Sequence, residues 1–89
     1  MLTISPKRHA EFMVVSLVGR VDASNSRELE EQCLELISNG ETKMVFDLTE
    51  VNYVSSAALR VFLLAAKRIS AVDGTIRLCG LSTTLRDVF

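Results

Sequence analysis

The feature that most restricts the fold of this chain is a change of hydrophobic period repeated along its length: strand-like segments alternate with segments of helical spacing. Residues 12–18 are rich in β-branched and apolar side chains, and the short alternating stretch 2–5 precedes them across the polar residues 6–11. Together they read as an N-terminal hairpin whose second strand ends at Gly19. Asp22, Ala23, Ser24 and Asn25 then supply helix-capping side chains. The helix they introduce begins near Arg27, with Leu29, Cys33, Leu36 and Ile37 at i, i+4, i+7 and i+8. Asn39-Gly40 ends it. Residues 44–48 form a compact apolar strand in which Asp47 is the odd charge, expected toward the strand's end. A connection over 49–54 leads to Ser55-Ser56 and a second helix, whose apolar stripe reads as Leu59, Phe62, Leu63, Ala66 and Ile69, with Arg60, Leu64 and Lys67 on the other face. Asp73-Gly74 is a turn, residues 75–81 alternate as a strand, and Ser82 caps a last helical turn through Leu85, Val88 and Phe89.

The order β-β-α-β-α-β-α implies right-handed crossovers and a mixed β-sheet covered mainly on one face by helices, a small α/β fold. With 89 residues, 48% of them hydrophobic, the chain supports one core and therefore one domain over residues 1–89. The last helix is still apolar at Phe89, so a chain truncated at its C-terminus, with uncovered surface and a tendency to self-associate, is expected.

Several function classes find no support. Ten Lys and Arg against eleven Asp and Glu leave a net charge of -1, too little positive field for a nucleic-acid partner. The longest apolar run, residues 61–66, is far short of a membrane span, and residues 1–10 hold no secretory signal, so a cytoplasmic protein without membrane insertion is expected. Cys33 and Cys79 lack partners at metal-ligand spacing and read as buried, reduced thiols. His9, the sole histidine, stands in a polar connection with no nucleophile tied to it. There is no glycine-rich phosphate loop, and Asp22, Asp47 and Asp87 are not paired as acid/base or metal carboxylates. The expectation is a non-enzyme with no metal and no cofactor. Ser55-Ser56 carries more information: hydroxyls at a helix start sit where free backbone N–H groups favour negative charge. From spacing alone, one of the two is an N-cap and the other a surface residue.

Three spaced motifs carry a resemblance: Gly19-Arg20-Val21-Asp22, then Val45-Phe46-Asp47-Leu48-Thr49-Glu50-Val51, then Tyr53-Val54-Ser55-Ser56-Ala57-Ala58-Leu59-Arg60-Val61. Together with Gly80-Leu81-Ser82, they make the chain similar to STAS domains, specifically bacterial anti-sigma factor antagonists. The resemblance implies a protein switch. The unphosphorylated antagonist binds an anti-sigma factor that is also a serine kinase, the sigma factor is released, phosphorylation breaks the complex, and a PP2C-type phosphatase resets it. The family's phosphorylated serine falls on Ser56, with Ser55 the alternative if the register is shifted by one. Ser55 stands where the family has an aspartate, and Ala58 where it has a glycine. Asp22 and Asp47 match family aspartates expected at the same end of the sheet, to orient the serine or contact the kinase. The partner surface is expected to comprise Asp22, Ser24, Asp47, Ser55, Ser56, Ala58, Leu59, Arg60, Leu64 and Lys67. The stripe of Arg60, Leu64 and Lys67 reads equally as docking face or solvated helix. A second reading from the same resemblance is an adaptor subunit of a membrane lipid-transport complex or of a sensory scaffold, whose neighbouring genes would encode a permease and an ATPase.

Overall fold

A computed structural model describes residues 2–80 of the chain. They run β1 (Leu2–His9), β2 (Phe12–Val21), α1 (Ser26–Ser38), β3 (Lys43–Val54), α2 (Ser56–Ser70) and β4 (Thr75–Cys79). The four strands form one sheet in the order β1-β2-β3-β4, antiparallel between β1 and β2 and parallel across β2–β3 and β3–β4. Each parallel pair needs a helical crossover, and two right-handed crossovers made in the same direction put α1 and α2 on the same face. The mixed sheet with helices on one side is the expected architecture. The last helix expected, from Ser82, lies outside the described residues.

The core lies between that face and the helices. Val15, Leu17 and Val21 of β2 and Met44, Phe46, Leu48, Val51 and Val54 of β3 are buried there, against Leu29 and Cys33 of α1 and Ala58, Val61, Phe62, Ala65 and Ile69 of α2. Phe46 and Phe62 meet edge to face, ring centroids 5.2 Å apart and planes at 70°, the geometry the ring quadrupoles favour. Burial pushes the Cys33 thiol up to about 12, which makes it an inert core group.

Several elements depart from the sequence expectations. β1 continues through His9 instead of ending at Ser5, because every residue from Leu2 to His9 finds a partner on β2. Pro6 is tolerated inside it because β1 is an edge strand. The hairpin turn is only Ala10-Glu11, with Ala10 in the left-handed region at φ 56°, a turn without the glycine or asparagine that would announce it. β2 continues past Gly19 to Val21. Cys79, expected in the core, is exposed on the edge strand β4, and the buried line of α2 is not the expected one, since Leu63 is 65% exposed while Ala58 and Ala65 are buried. The alanines let α2 sit close against the sheet and α1, and the larger Leu63 is turned outward.

The largest departure is β3, which runs through residues 49–54 where a connection was expected. Between Ser16/Asp47 and Val18/Glu50, and again between Gly19/Val51 and Arg20/Tyr53, β3 carries one residue more than β2. These are two bulges. At the first, the Asp47 carboxylate accepts hydrogen bonds from Thr49 N (3.0 Å) and Thr49 Oγ1 (2.6 Å), an Asx turn that holds the extra residue. The Thr49 hydroxyl, then its N–H, hold the Asp47 carboxyl below the usual carboxylate range. Asp47 therefore serves the strand's own geometry. At the other end of the sheet, Gly74 links α2 to β4 so tightly that a Cβ there would lie 2.3 Å from the Thr42 carbonyl oxygen.

Phe46 touches both helix and sheet layers, so Phe46→Ala is expected to lower the unfolding free energy by about 3–5 kcal/mol, read as a lower urea midpoint at unchanged slope.

Candidate functional site

The candidate site forms where β2 and β3 end side by side and α2 begins. Val21 pairs with Val54, and the next residue, Ser55, donates its N–H to the Val21 carbonyl at 2.9 Å. That bond joins the end of β2 to the start of α2. Ser55 is extended (φ -83°, ψ 169°), and its Oγ accepts from Ala58 N at 3.2 Å, so it is the N-cap of α2. Its carbonyl accepts from Leu59 N at 3.0 Å. Ser56, the first helical residue, is exposed, and its hydroxyl makes no hydrogen bond among the described residues. The two serines thus divide the roles that the sequence left open between them.

The loop after β2 is held beside them by its own side chains. Asn25 was expected to cap α1, yet its side chain makes no capping bond. It reaches back instead, accepting from Asp22 N at 2.9 Å and donating to the Arg20 carbonyl at 2.8 Å. Asp22 Oδ1 accepts from Ser24 Oγ (2.6 Å) and Ser24 N (3.0 Å). The Ser24 hydroxyl, followed by its N–H and by Arg20, holds the Asp22 carboxyl below the usual carboxylate range. Arg20 lies 3.8 Å from Asp22 Oδ2 and stacks over the Tyr53 ring, 4.3 Å from its centroid, a cation–π contact. The rim is therefore a fixed carboxylate, an arginine braced on an aromatic face, and the free hydroxyl of Ser56.

Not every expected residue gathers here. Asp47 pairs with Ser16, five residues before Val21, so it sits about 16 Å from the strand end at ordinary strand rise. It is absent from the site because it builds the first bulge. Ala58 is fully buried and Leu59 is half-buried against the core, so neither presents the open surface expected of a partner-contact residue. Arg60 and Lys67 are exposed on α2 and Leu64 is half-buried. With Leu63, Ala66 and Ser70 they line a shallow groove along the helix. Sequence reasoning missed Leu63, Arg20, Asn25 and Tyr53. Only Leu63 had a local signal, since it falls at i+7 from Ser56 and i+3 from Arg60 on the outward face. The meeting of Arg20 with Tyr53 depends on the second bulge, which no local pattern announces.

What this arrangement offers is recognition. It has an exposed hydroxyl, one carboxylate and a basic-apolar helix face. Among the described residues no three metal-ligating side chains cluster, and no helix is long and apolar enough to cross a membrane.

The comparisons with known proteins agree with this reading. A family model of the STAS domain matches residues 3–89, and the chain belongs to the STAS domain family. It is 39% identical over 78 residues to BtrV of Bordetella bronchiseptica, a protein named as an anti-sigma factor antagonist, a match that covers 88% of this chain and 67% of that one. A solved Thermotoga maritima structure described as an anti-sigma factor antagonist superposes with a TM-score of 0.91 at 17% identity, covering 96% of this chain and 74% of that one. The anti-sigma factor antagonist SpoIIAA in its unphosphorylated form superposes with a TM-score of 0.84 at 21% identity, over 98% of this chain and 81% of that one. These two share the fold.

Two outcomes follow from the division between the serines and from the Asp22 turn. Ser55→Ala is expected to cost about 1 kcal/mol through loss of the cap, and Ser56→Ala less than about 0.5 kcal/mol, both measured by urea unfolding. Ser24→Ala is expected to raise the Asp22 pKa toward its ordinary value, followed by carboxyl NMR. Because that pKa is depressed in the folded state, its contribution to stability is present above the ordinary aspartate pKa. It is lost as pH falls through the folded value, so Ser24→Ala narrows the difference between neutral and acidic stability.

Proposed function

We propose that this protein is an anti-sigma factor antagonist. In the unphosphorylated state it binds an anti-sigma factor that is also a serine kinase, and the sigma factor is released. The kinase phosphorylates Ser56, the complex breaks, and a PP2C-type phosphatase restores it. The cycle runs in the cytoplasm, and this chain catalyses no step of it. The relationship to BtrV supports the class of protein. The observation that carries the choice of residue is that Ser56 is exposed at the first position of α2 while Ser55 takes the capping role.

The chemistry suits the position. A phosphoserine brings roughly 1.5 to 2 negative charges, and the free N–H groups of a helix start accommodate negative charge. Phosphate on Ser56 therefore leaves α2 folded. Its effect falls on the partner surface, which loses contact through repulsion and desolvation, so the switch acts at the interface and not by refolding. The docking face extends from Asp22 and Ser24 on the rim along α2. There Ser56, Arg60, Leu63 and Lys67 lie at i, i+4, i+7 and i+11, a single exposed line, with Leu64 beside it. Two cations flanking leucines suit an acidic, amphipathic surface on the kinase.

The test is intact-mass spectrometry with site mapping after incubation with ATP, magnesium and each serine-kinase anti-sigma factor of the same genome. One added phosphate on Ser56, absent from Ser56→Ala, is expected. No phosphate with any of them would overturn the switch and favour the adaptor reading. Ser56→Asp is expected to abolish kinase binding in calorimetry while the thermal midpoint stays within about 2 °C. A large drop in midpoint would mean that the hydroxyl has a structural role.

A further inference from the structure

Arg20 and Arg60, the arginines of the candidate site, differ in their surroundings. Arg20, on β2, is already engaged: its guanidinium lies 4.3 Å over the Tyr53 ring and 3.8 Å from the Asp22 carboxylate. Arg60, on α2, is exposed and has no ion-pair partner among the described residues. The whole of α2, SAALRVFLLAAKRIS, contains no acidic residue that would compete for it. Arg60 stands four residues after Ser56, so the two side chains are neighbours on the same helix face. Direction favours the meeting as well. Side chains in an α-helix lean toward its N-terminus, so the long Arg60 side chain lies back over the turn that begins with Ser56. Lys67, eleven residues from Ser56, is about 16 Å further along the axis and out of reach. Arg68 falls on a different face.

Resting on Ser56 as the modified residue, the geometry points to an intrahelical latch: once phosphorylated, Ser56 is gripped by Arg60, whose guanidinium donates to the phosphate oxygens. The planar fork of arginine matches phosphate bidentately. Phosphorylation then changes the docking face twice. It adds a dianion at the start of the face, and it withdraws the first of the cations that would meet an acidic partner. The switch is stronger than repulsion alone because the same group supplies the negative charge and removes a positive one. The latch also implies a preference in the reverse reaction, since a phosphatase must displace Arg60 before it reaches the phosphorus.

The test installs phosphoserine at position 56 by genetic encoding, which needs no kinase, and follows the second ionisation of the phosphate by 31P NMR. With Arg60 present, that pKa is expected to lie roughly half a pH unit lower than in Arg60→Gln, at low salt. The gap should close in 1 M salt, where exposed charges are screened. Arg68→Gln serves as the control and should titrate like the parent. Equal titration of the parent and Arg60→Gln would overturn the latch, as would an equal shift in Arg68→Gln, which would mean a general charge effect. The outcome is independent of the mass-spectrometric test. A gap in the NMR titration with no kinase able to modify Ser56 would remove the proposed function and leave the latch, and modification without a gap would do the reverse.

Discussion

The pairing of β2 with β3 is the constraint on which the rest of this structure depends. Over Met13–Ser16 the two strands run in simple parallel register, and then β3 gains one residue near Thr49 and another near Asn52. Each gain restores the inward direction for the next apolar side chain, because a strand turns every residue to the opposite face and one extra residue reverses the count. The result is that Leu48, Val51 and Val54 all face the core, and β3 and β2 end together at Val54 and Val21. Without the second bulge, Val21 would stand opposite Tyr53, and Ser55 would not meet the Val21 carbonyl. The start of α2, the braced arginine and the exposed serine are all consequences of that count.

The same bulges explain which parts of the fold were legible in the sequence. Strands announce themselves by period two or by a short run of β-branched and apolar residues, and residues 12–18 and 44–48 do the latter. From Leu48 onward the buried residues of β3 fall three apart, at 48, 51 and 54, a spacing that belongs to neither regular strand nor helix and reads as a connection. The hairpin was legible in outline, but its turn at Ala10-Glu11 lacks turn residues, and only the pairing of β1 with β2 fixes its length. In α2 the helix itself was plain, while its buried line was not. Large apolar side chains dominate a periodicity reading, and two buried alanines, Ala58 and Ala65, carry little weight in it although they set how closely the helix packs. At the site, the serine pair and Asp22 were legible because capping and turn chemistry are local. Asp47 misled for the converse reason. Its motif is equally local, but its carboxylate spends both its contacts on Thr49 and stabilises a bulge.

The energetic scales of the two halves of the molecule are separate. A core residue such as Phe46 is worth several kcal/mol to the fold, whereas the contacts at the sheet end are exposed or half-exposed hydrogen bonds and one stacked ion pair, each worth on the order of 1 kcal/mol or less. They do not hold the domain together. What they do is fix the direction of a short loop and a helix start on a scaffold that is rigid for other reasons. Asn25 illustrates the point: it ties Asp22 N to the Arg20 carbonyl, so the loop keeps its shape through its own polar groups while the core beneath it is wholly apolar among the described residues. A surface built this way can be remodelled for a new partner with little consequence for folding.

That separation also accounts for why the exposed serine stands one residue inside the helix and not at the cap. A hydroxyl at the N-cap accepts from the helix backbone, so phosphorylating it would replace that bond and tie any signal to the stability of the helix. At Ser56 the cap is supplied by its neighbour, and the hydroxyl is left without a structural duty among the described residues. A charge added there meets the positive end of the helix dipole and side chains one turn ahead, which offset its effect within the domain. The partner has no such compensation, so the free energy of modification is felt across the interface. Two adjacent serines of identical chemistry thus have different physical roles, and the difference lies in a single hydrogen bond, from Ala58 N to Ser55 Oγ.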